Sequence, residues 1–276
     1  MAEIKAADVA KLRQMTGAGM MDCKQALTET NGDFDQAIDI LRKKGQKIAS
    51  KRADREATEG AVIAKVNDDH TFGVLVVLNC ETDFVAKNED FVKKAHLFAD
   101  AALAQKPNSL EELKNLTVEG HTIESEITNM TGVIGEKIDL SVYQKLEAPQ
   151  VVSYIHPGNR LATIVSFNKA VDDPQVPKNI SMQVAAMAPV SVDKDRVPKE
   201  VIEKELEIGR AQAKEEGKPE AILDKIAEGK LNKFFKENTL VSQEFISDHK
   251  ITVAEYMAQH DKELKVLDFV RYTLNV

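Results

Sequence analysis

Ala61-Val62-Ile63-Ala64-Lys65-Val66 and Phe72-Gly73-Val74-Leu75-Val76-Val77-Leu78 are two apolar, largely β-branched runs separated by Asn67-Asp68-Asp69-His70. Asn and Asp bond their own backbone and favour turns, so the segment predicts a β-hairpin. Before Gly60 the apolar residues recur at helical spacing; from Gly60 the runs are those of strands. The chain changes class there, and the expected fold is α+β with a helical segment first.

Working back from Gly60, three short helices are expected. Ala7 to Met15 carries Val9 and Leu12 on one face, and Gly17-Ala18-Gly19 breaks it. Met20, Cys23, Ala26 and Leu27 form the stripe of the second, which puts Met20 in the core and leaves Met21 exposed, about 100° away. Asn31-Gly32 stops that helix and Asp33 caps the third, which places Phe34, Ala37, Ile38 and Leu41 on one side and ends before Gly45. Gln46 to Arg55 is basic and is expected to be a helical or flexible linker; it reads as a solvated face or as a nucleic-acid contact.

Working forward, Cys80 to Val85 leaves the second strand. A helix follows from about Asn88 with Phe91, Ala95, Phe98 and Ala102 as its stripe, and another spans Ile123 to Met130. Strands are expected at Lys137 to Leu146, Val151 to His156 and Leu161 to Phe167, with Pro157-Gly158-Asn159 as the turn between the last two. Val176, Ile180, Val184 and Met187 mark the face of the next helix. Pro198 to Phe235 is rich in Glu, Lys, Ala, Ile and Leu. Interrupted at Gly217-Lys218-Pro219, it predicts two antiparallel helices of roughly 17 residues, each about 25 Å long, projecting from the body. The tail supplies a short helix and a strand, Lys265 to Leu274. Four parts are expected: residues 1–55, a three-helix N-terminal domain and linker; 56–146, an αβ core subdomain; 147–197 with 236–276, a second αβ core subdomain; and 198–235, an inserted helical hairpin.

Composition narrows the function. The 276 residues are 43% hydrophobic and 30% charged, a globular balance with apolar content for a core. A net charge of −8 argues against polyanion binding by the chain as a whole. Absent Trp and 5% aromatics are thin for a base-stacking platform, so no direct nucleic-acid contact is expected. Two cysteines, Cys23 and Cys80, do not form a disulfide scaffold and fit a reducing cytoplasm. The N-terminus lacks the apolar core of a signal peptide, and the longest apolar run, Gly73 to Leu78, is too short to span a membrane. No phosphate loop, dinucleotide turn, HExxH or clustered His/Cys set occurs, so no bound nucleotide, metal or other cofactor and no catalytic residue is expected. That favours a protein that acts by binding rather than an enzyme.

Two features admit a second reading. Met21 beside Lys24, Gln25 and Thr28 is a tolerated surface residue or a flexible contact for another protein. Phe84, following Asp83 at a strand's exit, plugs the sheet edge or protrudes from a loop held by rigid elements.

Thr16-Gly17-Ala18-Gly19-Met20-Met21-Asp22-Cys23-Lys24-Gln25-Ala26-Leu27 resembles the N-terminal signature of bacterial elongation factor Ts. Asn79-Cys80-Glu81-Thr82-Asp83-Phe84-Val85-Ala86-Lys87 resembles its second signature, and Ile134-Gly135-Glu136 and Ser153-Tyr154-Ile155-His156 resemble further segments in order. The resemblance implies a three-helix (UBA-like) N-terminal domain, a core of two αβ subdomains with antiparallel sheets and an inserted antiparallel helical hairpin. It implies a cytoplasmic guanine-nucleotide exchange factor for the GTPase elongation factor Tu. Thr82, Asp83, Phe84 and Val85 would dislocate Mg2+ in that partner. Leu12, Met20 and Met21 would be contacts of the N-terminal module, and Ile134 and His156 contacts of the core. Two departures bear on this. The chain reaches Val276 soon after its last expected strand, so the C-terminal helical module of some members is not expected, and Pro157 stands where Gly is more usual, which alters the His156 loop. The alternative is an adaptor or chaperone-like binding protein built on the three-helix module, without exchange activity.

Overall fold

The computed structural model describes residues 4–274. Three helices come first: α1 (Ala6–Thr16), α2 (Met20–Glu29) and α3 (Phe34–Arg52). Gly17, in the left-handed conformation at φ 68°, closes α1, and the Asp33 carboxylate caps α3 by accepting the Gln36 N–H. Val9, Leu12, Ala18, Cys23, Ala26, Leu27 and Ala37 form their core.

The hairpin forms as β1 (Glu59–Val66) and β2 (Phe72–Cys80), and is followed by α4 (Asp83–Ala86), α5 (Glu89–Gln105), α6 (Leu110–Asn115), β3 (Thr117–Val118), β4 (His121–Thr122), α7 (Ile123–Ile134) and β5 (Asp139–Glu147). Then come β6 (Gln150–Ile155), β7 (Leu161–Phe167), α8 (Gln175–Met187), α9 (Lys199–Glu215), α10 (Leu223–Asn238), β8 (Glu244–Phe245), β9 (Asp248–Thr252), α11 (Val253–His260) and β10 (Val266–Thr273). The main sheets are antiparallel, ordered β1-β2-β5 and β10-β7-β6. The architecture is α+β, with a helical N-terminal region and small antiparallel sheets.

Strand alternation builds three layers of core. Ala61 and Ile63 of β1 and Phe72, Val74, Val76 and Leu78 of β2 face α5 and α7. Their neighbours Val62, Ala64, Leu75 and Val77 face the second sheet, meeting Val151, Ala162 and Ile164. Val165 and Phe167 turn the other way, toward α8 and α11. The two sheets therefore lie face to face with helices outside. Gly73 permits the closest approach: a Cβ there would stand 2.6 Å from a Val151 methyl.

Several expectations change. The helix does not stop before Gly45; α3 runs on to Arg52 because Gly45 is buried against Gly132 of α7, where the two backbones cross. Lys47 and Lys51 lie exposed along it. Cys80 to Val85 is not all loop, since α4 is a full helical turn. Met187 ends α8 and is 45% exposed, beyond the packed face that holds Val176, Ile180 and Val184. Helix α6 and the two-stranded ribbons β3–β4 and β8–β9 were not anticipated; each is too short to show a period. Helices α9 and α10 pair along the length expected of them, with Gly209 backed onto Ala227.

The glycine crossing is asymmetric. A Cβ on Gly132 would stand 2.3 Å from the Gly45 Cα, whereas one on Gly45 would stand 3.5 Å from the Gly132 Cα. Gly132→Ala is expected to destabilise by about 1–2 kcal/mol, overpacking outweighing its better helix propensity, and Gly45→Ala to be neutral or stabilising by up to about 1 kcal/mol. Urea midpoints decide; equal effects would mean the helices slide apart freely.

Candidate protein-interaction site

Strand β2 ends at Cys80 and Asn88 caps α5, which leaves seven residues to turn the chain. The Thr82 hydroxyl caps α4 by accepting the Val85 N–H at 3.4 Å and donates to Glu136 Oε1 at 2.7 Å. The other Glu136 oxygen accepts the N–H groups of Glu81 and Thr82 at 3.1 and 3.0 Å. Glu81 returns the contact by accepting the Lys137 N–H at 2.6 Å, and Arg52 at the end of α3 donates to both Glu81 oxygens at 2.9 Å. Each carboxylate thus accepts backbone N–H groups from the other's segment, and the ion pair ties in the N-terminal helices. The buried Cys80 thiol donates to the Thr82 carbonyl at 3.1 Å. Burial, then the carboxylates Glu136 and Glu59, push that thiol up to about 12, so it stays protonated and a donor.

The clasped turn presents Phe84. Val85 and Ala86 pack against the core under α5, while Phe84 is 83% exposed. The structure thus favours the protruding reading over the sheet-edge plug. Asp83 pairs with Lys87 one turn on at 2.6 Å, a hydrogen bond that holds its carboxyl below the usual range.

His156 lies on the turn joining β6 and β7, exposed, with Nδ1 2.9 Å from the Tyr154 hydroxyl. Asn159 of the same turn accepts the Val62 N–H at 2.7 Å, which binds the turn to β1. Arg160 pairs with Glu59, the residue opposite Cys80 across the hairpin. That bond chiefly raises the Arg160 pKa, and Asp83 adds a smaller Coulombic contribution. With Glu59 opposite Cys80, the pair puts the His156 loop at the end of the hairpin from which the Phe84 turn leaves.

The N-terminal residues divide. Leu12 is fully buried in the three-helix core and presents no surface in the free chain. Met20 is not in that core: it opens α2 and is 49% exposed beside Met21 at 74%. Met15 at 57% joins them. Gly17 brings this face to Val133 of α7, whose methyls lie 3.6 and 3.9 Å from where a Gly17 Cβ would stand. Val133 is itself 44% exposed, and half-buried Ile134 follows it with its side chain against the core. Met15, Met20 and Met21 thus flank the α1–α2 turn, Gly17 of that turn meets Val133 near the end of α7, and Glu136 just past α7 bonds the turn that bears Phe84. Val133, Glu81 and Glu136 carry no individual role in the residue pattern, and Arg52, expected as part of a basic solvated or nucleic-acid-binding stretch, is instead paired with Glu81; Glu81 and Glu136 stand inside the motifs, but their clasp spans 54–56 residues of chain.

Among the described residues no group of three or more His, Cys, Asp or Glu is placed to hold a metal, and no helix is long and apolar enough to cross a membrane. A profile of the family described as Elongation factor TS matches residues 81–276. The chain is 54% identical over 275 residues to elongation factor Ts of Christiangramia forsetii, covering 99% of this chain and 100% of the relative. The chain belongs to the elongation factor Ts family. Elongation factor Ts of Porphyromonas gingivalis is 49% identical over 269 residues, 97% of each chain, and that of Cytophaga hutchinsonii 46% over 278 residues, covering both in full. The family places the protein among the translation elongation factors.

The Lys137 N–H, and then Arg52, hold the Glu81 carboxyl below its usual range against the opposing effect of burial. A pKa lowered by folding contributes stability above the unfolded-state pKa that is lost as pH falls through the folded one. Glu81→Gln is expected to be less stable at neutral pH and to lose less than the parent as pH drops below the ordinary Glu range. Denaturation midpoints across that window check it; an acid limb of unchanged slope would remove Glu81 from the stabilising set.

Proposed function

We propose that the protein is a guanine-nucleotide exchange factor for elongation factor Tu, acting through contact alone and not as an enzyme of covalent chemistry. The observation that carries the reading is an aromatic ring 83% exposed at the tip of a turn fixed by carboxylate–backbone hydrogen bonds. A GTPase holds its nucleotide through the phosphate loop and Mg2+. An exchange factor must bind the nucleotide-free partner better than the GDP-bound one, and by linkage factor and GDP then weaken each other equally.

The residues take roles accordingly. Met15, Met20, Met21 and Val133 dock on the nucleotide-binding domain, where flexible methionines tolerate the partner's rearrangement. Phe84 then enters as a wedge that displaces the elements holding Mg2+ and the phosphates, with Thr82 and Val85 fixing its turn and Asp83 at its base. His156, on the neighbouring loop, contacts a second part of the partner. The three-helix module, the two αβ subdomains and the hairpin at 198–235 serve as separable parts of this surface, and the site of action is the cytoplasm.

Phe84 and Phe91 test this together. Phe91 is 2% exposed in the core, so Phe91→Ala should cost about 3–5 kcal/mol of stability. Phe84→Ala should change stability by only about 0.5 kcal/mol, yet slow GDP release from the partner at least about tenfold, equivalent to roughly 1.4 kcal/mol. Denaturation midpoints and fluorescent-GDP release measure both. Strong destabilisation by Phe84→Ala, or full exchange activity, would sink the wedge.

A further inference from the structure

Phe84 owes its position to nothing its ring touches. At 83% exposure the side chain has little packing to hold it, so where it stands follows from the backbone of α4. That helix is a single turn of four residues, too short to persist by itself. Its downstream half is held by Val85 and Ala86 against the core. Its upstream half is held by hydrogen bonds, and Glu136 supplies three of them: the N–H groups of Glu81 and Thr82 and the Thr82 hydroxyl. The hydroxyl both caps α4 and donates to Glu136, so one carboxylate fixes the cap's rotor and the peptide before it.

We propose that Glu136 is a positioning residue for exchange, keeping the Phe84 turn in its wedge conformation before the partner arrives. This rests on the exchange-factor reading. Glu136 need not touch the partner's nucleotide site; it acts through Phe84. Without it the turn samples other conformations, and the rate of a step needing the ordered turn falls with the fraction ordered. The methionine face is untouched, so docking should persist while wedging suffers.

The experiment combines Glu136→Ala, Glu136→Gln and Phe84→Ala in full-length protein, with maximal GDP-release rate, half-saturating factor concentration and amide hydrogen exchange as readouts. A Gln carbonyl can still accept both backbone N–H groups but its amide cannot accept the Thr82 hydroxyl, so Gln should restore most of what Ala loses. Glu136→Ala is expected to lower the maximal rate about five- to tenfold with little change in half-saturation, as for a turn ordered roughly 10–20% of the time. It should also speed amide exchange at Glu81 and Thr82. In the Phe84→Ala background it should lower the rate no further, because the two act as one unit.

Independent losses in the double variant, an unchanged rate, or a Glu136→Gln protein as impaired as Glu136→Ala would overturn the proposal. If the parent protein failed to release GDP, the exchange reading itself would fall. Amide exchange would still report whether Glu136 orders the turn, and unchanged protection there would refute the positioning role on its own.

Discussion

Strand β2 has no face in contact with water. All nine residues from Phe72 to Cys80 are buried, under α5 on one side and against the second sheet on the other. This double cover explains why the strand reads as an unbroken apolar run rather than an alternating one. It also makes the end of β2 a fixed point. The core part of the candidate site is laid out from there: the clasped turn begins one residue later, Glu59 lies across the hairpin, and the β6–β7 turn is bonded to β1. Interaction residues on short loops gain precision from such a scaffold.

The energetics fit a binding role. An aromatic ring left in water contributes little to folding, but it is available to a partner. Burying a Phe removes roughly 150 Å² or more from water, about 4 kcal/mol at 25 cal/mol per Å². Released only in the partner state that admits the ring, this bounds one side chain's effect on the equilibrium at about three powers of ten. Fixing the turn beforehand spares part of that energy from ordering it on contact. In the proposed role, the carboxylate clasp and the buried thiol serve the site as well as the fold.

Much of this was legible in residue order. The change at Gly60, the helix start near Asn88, the Asp33 cap and the Pro157-Gly158-Asn159 turn all rest on local chemistry, and the structure has them. What stayed hidden was non-local. Gly45 reads as a helix stop, because glycine costs a helix about 1 kcal/mol relative to alanine; only its partner Gly132, far along the chain, explains why α3 continues. Met20 fits the stripe by angle, yet the helix begins there and the stripe's cover does not reach it. Residue patterns left Phe84 divided between plug and wedge, and the Glu136 hydrogen bonds that hold its turn follow no period.

Differential binding is the central claim, and a closed thermodynamic cycle tests it most directly. The dissociation constants of the factor for nucleotide-free and GDP-bound elongation factor Tu would be measured alongside those of GDP for the partner, free and factor-bound. The account predicts much tighter binding to the nucleotide-free form, the same ratio on both sides of the cycle, and dissociation of the complex by excess GDP. Equal affinity for the two partner forms would contradict it.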